Sequence, residues 1–127
     1  MNLLSIALVF GGAGAGGVVR YLLNLALNPL LAAMPLGTLA ANVLGCGAAG
    51  ALVAFLAERM ALDATLRPLL IVGFLGGLTT FSSFALEVVQ SLENQRPLLA
   101  IAIVLVHVCV SIAAAIAGLV GMRALLA

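Results

Sequence analysis

Charge is what this sequence has least of: 7% of its 127 residues are charged, five arginines and four acids with no lysine. A water-soluble domain usually carries about 25% charged residues, and so few charges cannot clothe a chain that is 65% apolar. Water is thereby excluded as the solvent, and the bilayer takes its place. A formal net charge of +1 without a basic patch leaves no electrostatic footprint for nucleic acid. The two cysteines, Cys46 and Cys109, sit in separate apolar runs and form no CxxC pair. Neither a disulfide framework nor a zinc site follows from them, and both are read as buried free thiols.

What the sequence has in abundance is long apolar runs. Crossing a hydrocarbon core of about 30 Å takes about 20 helical residues at 1.5 Å each. Four segments are long enough, near residues 3–27, 36–57, 68–91 and 97–122. They consume nearly the whole chain, so it reads as one all-α transmembrane domain of four helices. The first run has no basic n-region and is followed by equally apolar spans, so it is expected to belong to the membrane body. Glu58, Arg59, Asp63, Arg67, Glu93, Arg96 and Arg123 fall in the connections or near the last residues, where headgroups and water solvate charge. Only Arg20 and Glu87 lie within spans.

Four spans place the 58–67 loop on the same side as both ends of the chain. Arg59, Arg67 and Arg123 then face one side, and Arg96 and Arg20 the other. That difference is too small for the positive-inside rule to fix an orientation. Insertion both ways, and a homodimer of oppositely inserted copies about a twofold axis in the membrane plane, is the natural consequence. One four-helix copy encloses little lumen, so a permeation path is expected at an interface between copies.

Gly12, Gly14 and Gly17 match GxGxxG, as do Gly45, Gly47 and Gly50. Each run lies inside a spanning helix with no strand before it, so nucleotide binding is not expected. Small-xxx-small helix packing is the better reading, with rows at Gly12 and Gly16, Gly73 and Gly77, and Ala113, Ala117 and Gly121.

Polar groups inside a bilayer are costly and therefore few. Thr38 and Asn42 are four apart on span two, and His107 and Ser111 four apart on span four. Thr80, Ser83 and Glu87 share a face of span three if that segment is helical. Two readings stand at this point. The hydroxyls can bond back to their own helices while the amide and imidazole bridge neighbours. Alternatively, the three stripes together form a donor-rich lining that suits an anion, with no mid-membrane cation to hold it too tightly. Span three also carries Gly76-Gly77-Leu78-Thr79-Thr80, adjacent glycines followed by β-branched threonines, which is poor helix material. A break is expected there, with freed carbonyls that need partners such as a cation. Phe81 and Phe84, three apart, would project on one side; they are either lipid-facing or core aromatics, or electropositive ring edges flanking a small anion.

These blocks resemble the Fluc/CrcB fluoride channels of microbial membranes. The resemblance is carried by Gly11-Gly12 with Gly16 and Arg20-Tyr21, by Pro35-Leu36-Gly37-Thr38-Leu39 with Asn42 and Gly45, by residues 76–84 with Glu87, and by His107 with Ser111. It implies an antiparallel dual-topology homodimer with two fluoride pores, passive fluoride efflux across the bacterial inner membrane, and no enzymatic activity. It also implies a structural sodium ion held by the backbone carbonyls of Gly76 and Thr79 from both copies. By position, Asn42, Phe81 and Phe84 would line the fluoride path, with Ser111 and His107 near it. Thr38, Ser82, Ser83 and Glu87 would form a polar track, and Arg20 would serve an aqueous vestibule. Ser83 and His107 depart from the threonine and tyrosine common in the family, conservatively in hydrogen bonding.

The runner-up is a small dual-topology proton-coupled exporter, but that chemistry needs a carboxylate in span one, where this chain offers Arg20 and no acid. An intramembrane serine protease using His107 with Ser82, Ser83 or Ser111 lacks a GxSx-type setting. A membrane scaffold would need no polar stripes.

Overall fold

The computed structural model describes residues 3–59 and 66–127, without the side chains of Glu58 and Arg59. Most of the polar 58–67 loop, Asp63 included, lies outside the described residues. Apolar runs too long to be satisfied by any other backbone arrangement in lipid become helices. Helix α1 spans Leu3–Leu27 and passes into a single 3-10 turn at Asn28–Leu30, with Pro29 at its start. Helix α2 spans Leu36–Arg59. The third span opens as a π-helical stretch, Pro68–Leu75, and continues as one helical turn, α3, at Gly76–Leu78. After Thr79 and Thr80 comes α4, Phe81–Glu93, and then α5, Pro97–Leu126. Among the described residues, four segments are long and apolar enough to cross a membrane. The last has 30 residues, about 45 Å at 1.5 Å per residue, so its ends reach beyond the hydrocarbon. This explains why it runs four residues past the expected limit at Met122: apolarity marks the hydrocarbon, whereas the helix continues through the headgroups.

Neighbours in space are not neighbours in sequence. The most extensive packing joins α2 to α5, and α1 lies against the π-helical stretch, α3 and α2. Among the described residues, α1 and α5 do not touch. Small residues set both seams. A Cβ at Gly16 would stand 2.7 Å from the Leu78 nitrogen, so α1 and α3 approach to backbone contact only because it has none. The expected rows Gly12 with Gly16 and Gly73 with Gly77 meet each other across this seam. On α5 the expectation is corrected. Ala113, Ala117 and Gly121 point outward, and the seam against Gly47, Gly50 and Ala51 of α2 is made by Ala114, Ala115 and Gly118. Because α5 is apolar and rich in small residues all round, spacing by four could not choose between adjacent rows. The cysteines are also corrected: both are free thiols, but Cys46 is only half-buried and Cys109 is exposed on the outside of α5.

Candidate functional site

The site is built around two residues that leave the helical conformation. Thr79 adopts φ −80° and ψ 152°, and Thr80 φ −151° and ψ 121°. Their β-branched side chains favour this extended backbone. Gly76 and Gly77 keep helical geometry. Extended backbone inside a membrane protein must have its polar groups satisfied. Asn42 does this for Thr80 from α2, accepting from the Thr80 N–H at 2.7 Å and donating Nδ2–H to the Thr80 carbonyl at 3.0 Å. Thr80 then caps α4, its Oγ1 accepting from the Ser83 N–H at 3.2 Å and lying 3.2 Å from both Ser82 Oγ and Ser83 Oγ. Thr80 thus stands outside the helix whose face it was expected to share, and only Ser83 and Glu87 occupy successive turns of α4.

This wiring has a consequence for two carbonyls. In an unbroken helix Gly76 O would accept from the Thr80 N–H, and Thr79 O from the Ser83 N–H. Here the first donor is engaged by Asn42 and the second by the Thr80 hydroxyl. The Thr79 N–H and hydroxyl both turn back to the Leu75 carbonyl, at 3.0 and 2.9 Å. Among the described residues, only the Ile71 carbonyl, 3.9 Å from a hypothetical Cβ, lies on the side to which the α carbon of Gly76 faces.

A groove of about 340 Å³ runs beside the extended pair, bounded by α2, α4 and α5. Asn42, Thr79, Thr80, Phe81, Phe84, His107 and Ser111 line it, together with Cys46. The rings of Phe81 and Phe84 meet edge to face with centroids 5.3 Å apart, and Phe84 stacks on His107 at 5.0 Å. Phe84 and His107 are buried, whereas Phe81 is 78% exposed. Neither nitrogen of His107 has a hydrogen-bond partner among the described residues. One helical turn beyond Phe84, Glu87 Oε1 accepts from the fully buried Thr38 hydroxyl at 2.5 Å, while Oε2 has no partner among the described residues. Glu87 also borders a second, more polar pocket of about 250 Å³, shared with Asn28, Gln90, Ser91, Asn94 and Arg96 at the α4–α5 turn.

The expected site residues therefore separate into groups. Asn42, Phe81, Phe84, His107 and Ser111 meet on one groove. Ser82 and Ser83 belong to the first turn of α4 beneath Thr80, and Thr38 is bonded to Glu87, which borders the second pocket and not the groove. Arg20, half-buried on α1, borders neither pocket. Sequence reasoning missed Thr80 as the clamped cap, Cys46 as a groove residue and Arg96 as the cation of the second pocket. A capping pattern was present at Thr80, a hydroxyl three residues ahead of Ser83, but nothing in the sequence marked the other two.

None of the residues lining the first groove carries a formal charge. Its polar character comes from amide, hydroxyl and imidazole donors and from the N-terminus of α4, whose unpaired N–H groups and dipole favour negative charge. Such a lining stabilises a small anion without trapping it. Comparison with known proteins agrees in kind. The chain is 44% identical over 110 residues to the "Fluoride-specific ion channel FluC" of Desulfovibrio desulfuricans, covering 87% of this chain and 85% of that protein. It is 43% identical over 123 residues to the protein of that name from Tolumonas auensis, covering 97% of each. A third, from Pseudomonas aeruginosa, is 41% identical over 122 residues, covering 96% of this chain and 94% of that protein. Residues 7–119 match the family described as CrcB-like protein, Camphor Resistance (CrcB), and the chain belongs to that family.

Proposed function

We propose that this chain is a fluoride channel, a multi-pass protein of the bacterial cell membrane that lets fluoride leave the cytoplasm passively. The observation that carries the reading is the uncharged, donor-lined groove at the extended Thr79–Thr80 pair, in a chain whose relatives are named fluoride-specific channels. Asn42 Nδ2 has a second N–H beyond the one given to Thr80, and Ser111 and His107 add donors from α5. Electropositive phenyl edges of Phe81 and Phe84 replace part of the hydration of the anion without a fixed charge. An interior-negative potential drives an anion outward by about 2.3 kcal/mol per 100 mV, so neither a nucleotide site nor proton coupling is required. The reading is of a channel, not an enzyme, and an exporter is not favoured. Liposomes holding the purified protein should release fluoride rapidly and largely retain chloride. Equal release of both ions, or release of neither, rejects the reading.

The working unit of this reading is an antiparallel, dual-topology homodimer in which span three acts as a broken helix. The near-even arginine balance supports it, as does the exposure of Phe81, a groove residue that one copy leaves uncovered. A structural sodium ion fits the same arrangement. The carbonyls of Gly76 and Thr79 have lost their i+4 donors, the Gly76 side of α3 is open among the described residues, and hard carbonyl oxygens suit a hard monovalent cation. Two carbonyls from each copy about a twofold axis would supply its ligands. When bound, the ion would satisfy those carbonyls and join the two copies. Thr38, Ser82, Ser83 and Glu87 continue the polar track from the groove, and Arg20 serves a vestibule.

A further inference from the structure

The chain has a single histidine, and it stands where a proton would matter most. His107 is 3% exposed, lines the anion groove, and has both ring nitrogens without a partner among the described residues. A neutral imidazole always carries one N–H, so a buried donor here is left for whatever passes through the groove. Phe84 stacks on the ring at a centroid distance of 5.0 Å, and an aromatic face within this range also stabilises an imidazolium. We propose that His107 is a proton-responsive anion donor. Neutral, it offers one N–H to the passing anion; protonated, it offers two together with a full charge, holds the anion longer and slows its passage. The inference rests on the fluoride reading and adds its regulation by acid.

The surroundings of His107 decide what else could respond to pH. From α4 it meets Phe84, with the carboxyl of Glu87 one turn further on and bonded to Thr38. From α2 the groove receives Asn42 and the thiol of Cys46, and from α5 itself the neutral hydroxyl of Ser111. Helix α1 does not reach α5 among the described residues. Glu87 and Cys46 are therefore the groups whose titration must be separated from that of His107. The expected direction follows from the channel requirement that an ion be held weakly enough to leave.

The test is fluoride efflux from liposomes at equal pH on both sides, from about pH 8 down to about pH 4.5, a window that spans and extends below the charge change of a free imidazole. The leak of protein-free vesicles is subtracted at each pH. Flux through the unaltered protein should fall by at least about threefold, and that fall should persist in Glu87→Gln and Cys46→Ser. His107→Tyr, whatever its absolute rate, should lose the response. No fluoride flux even at about pH 8 removes the fluoride reading itself. Flux that is present but flat with pH, a His107→Tyr response equal to the unaltered one, or loss of the response in Glu87→Gln or Cys46→Ser overturns the inference alone. Because the histidine is single, its ring can also be followed by NMR in isotope-labelled, unaltered protein in nanodiscs. Fluoride should move its protonation midpoint upward, since an anion favours the charged ring; a midpoint unmoved or lowered by fluoride overturns the inference even if the tyrosine variant does not fold.

Discussion

On the proposed path, Asn42 and Phe81 would serve structure and permeation in different proportions. Asn42 bonds both backbone groups of Thr80 and also faces the groove. Asn42→Ala removes both bonds and leaves a buried N–H and C=O unpaired, which costs about 2 to 4 kcal/mol. The variant should therefore unfold earlier in detergent, in a thermal melt followed by intrinsic signal, as well as lose flux; an unchanged melting temperature would deny the clamp. Phe81→Ile separates the two roles in the other direction. Phe81 is mostly exposed, so isoleucine keeps apolar bulk at little cost to the fold of one copy while removing an electropositive edge. Folded Phe81→Ile protein should conduct fluoride much more slowly, and unaltered liposome flux would remove this ring from the path. Asn42, His107 and Ser111 stood out in the sequence as rare polar residues in an apolar chain, whereas spacing left Phe81 and Phe84 open to a core or lipid-facing reading, and only the family resemblance implied that all five meet, as they do on one groove. That Asn42 spends its amide on the Thr80 backbone was not legible, since a bond from a side chain to a distant peptide leaves no mark on the identity of the residue that receives it. Cys46 was hidden for a related reason: a thiol is equally at home in a core, a groove or lipid.

Among the elements, the turn from α4 to α5 is held by backbone bonds that demand a left-handed residue. The Gln95 N–H donates to the Leu92 carbonyl and the Arg96 N–H to that of Ser91, both at 2.9 Å, with Gln95 at φ 57°. This is the position at which helices most often place glycine. Gln95→Gly relieves the crowding of Cβ in that conformation but adds freedom to the unfolded chain, so the net gain should be a few tenths of a kcal/mol to about 1 kcal/mol. A small rise in melting temperature with unchanged flux is expected; destabilisation would mean that the glutamine side chain is itself needed. The tight turn was legible from the cluster of polar residues between two apolar runs, and the four spans from length alone. Where span three leaves the helix was legible only to within five residues, because glycine and threonine both weaken helices and the sequence does not rank them. Packing ranks them: Gly77 is pressed against Ala13 of α1 and stays helical, while Thr80 finds Asn42.

For the molecule as a whole, orientation in the membrane is the property on which the proposed dimer and its proposed central cation depend. Among the described residues, one copy leaves Phe81 exposed beside the groove and the Gly76 side of α3 open, the two surfaces that the proposed second copy would cover. If the two copies are inverted, the α4–α5 turn and the last residues of α5 each occur on both sides of the membrane in equal numbers. Single cysteines at Asn94 and at Ala127, both exposed, report on those two ends in a background of Cys46→Ser and Cys109→Ser. An impermeant thiol reagent applied to intact cells should label about half of the copies at either position, because the arginine balance gives the positive-inside rule almost nothing to act on. Permeabilised cells fix the full extent of labelling for comparison. A single orientation gives a different pattern, with one position labelled completely and the other not at all. That pattern would exclude the antiparallel arrangement, and the sodium site would go with it, because carbonyls from two copies facing the same way cannot meet about a twofold axis lying in the membrane plane.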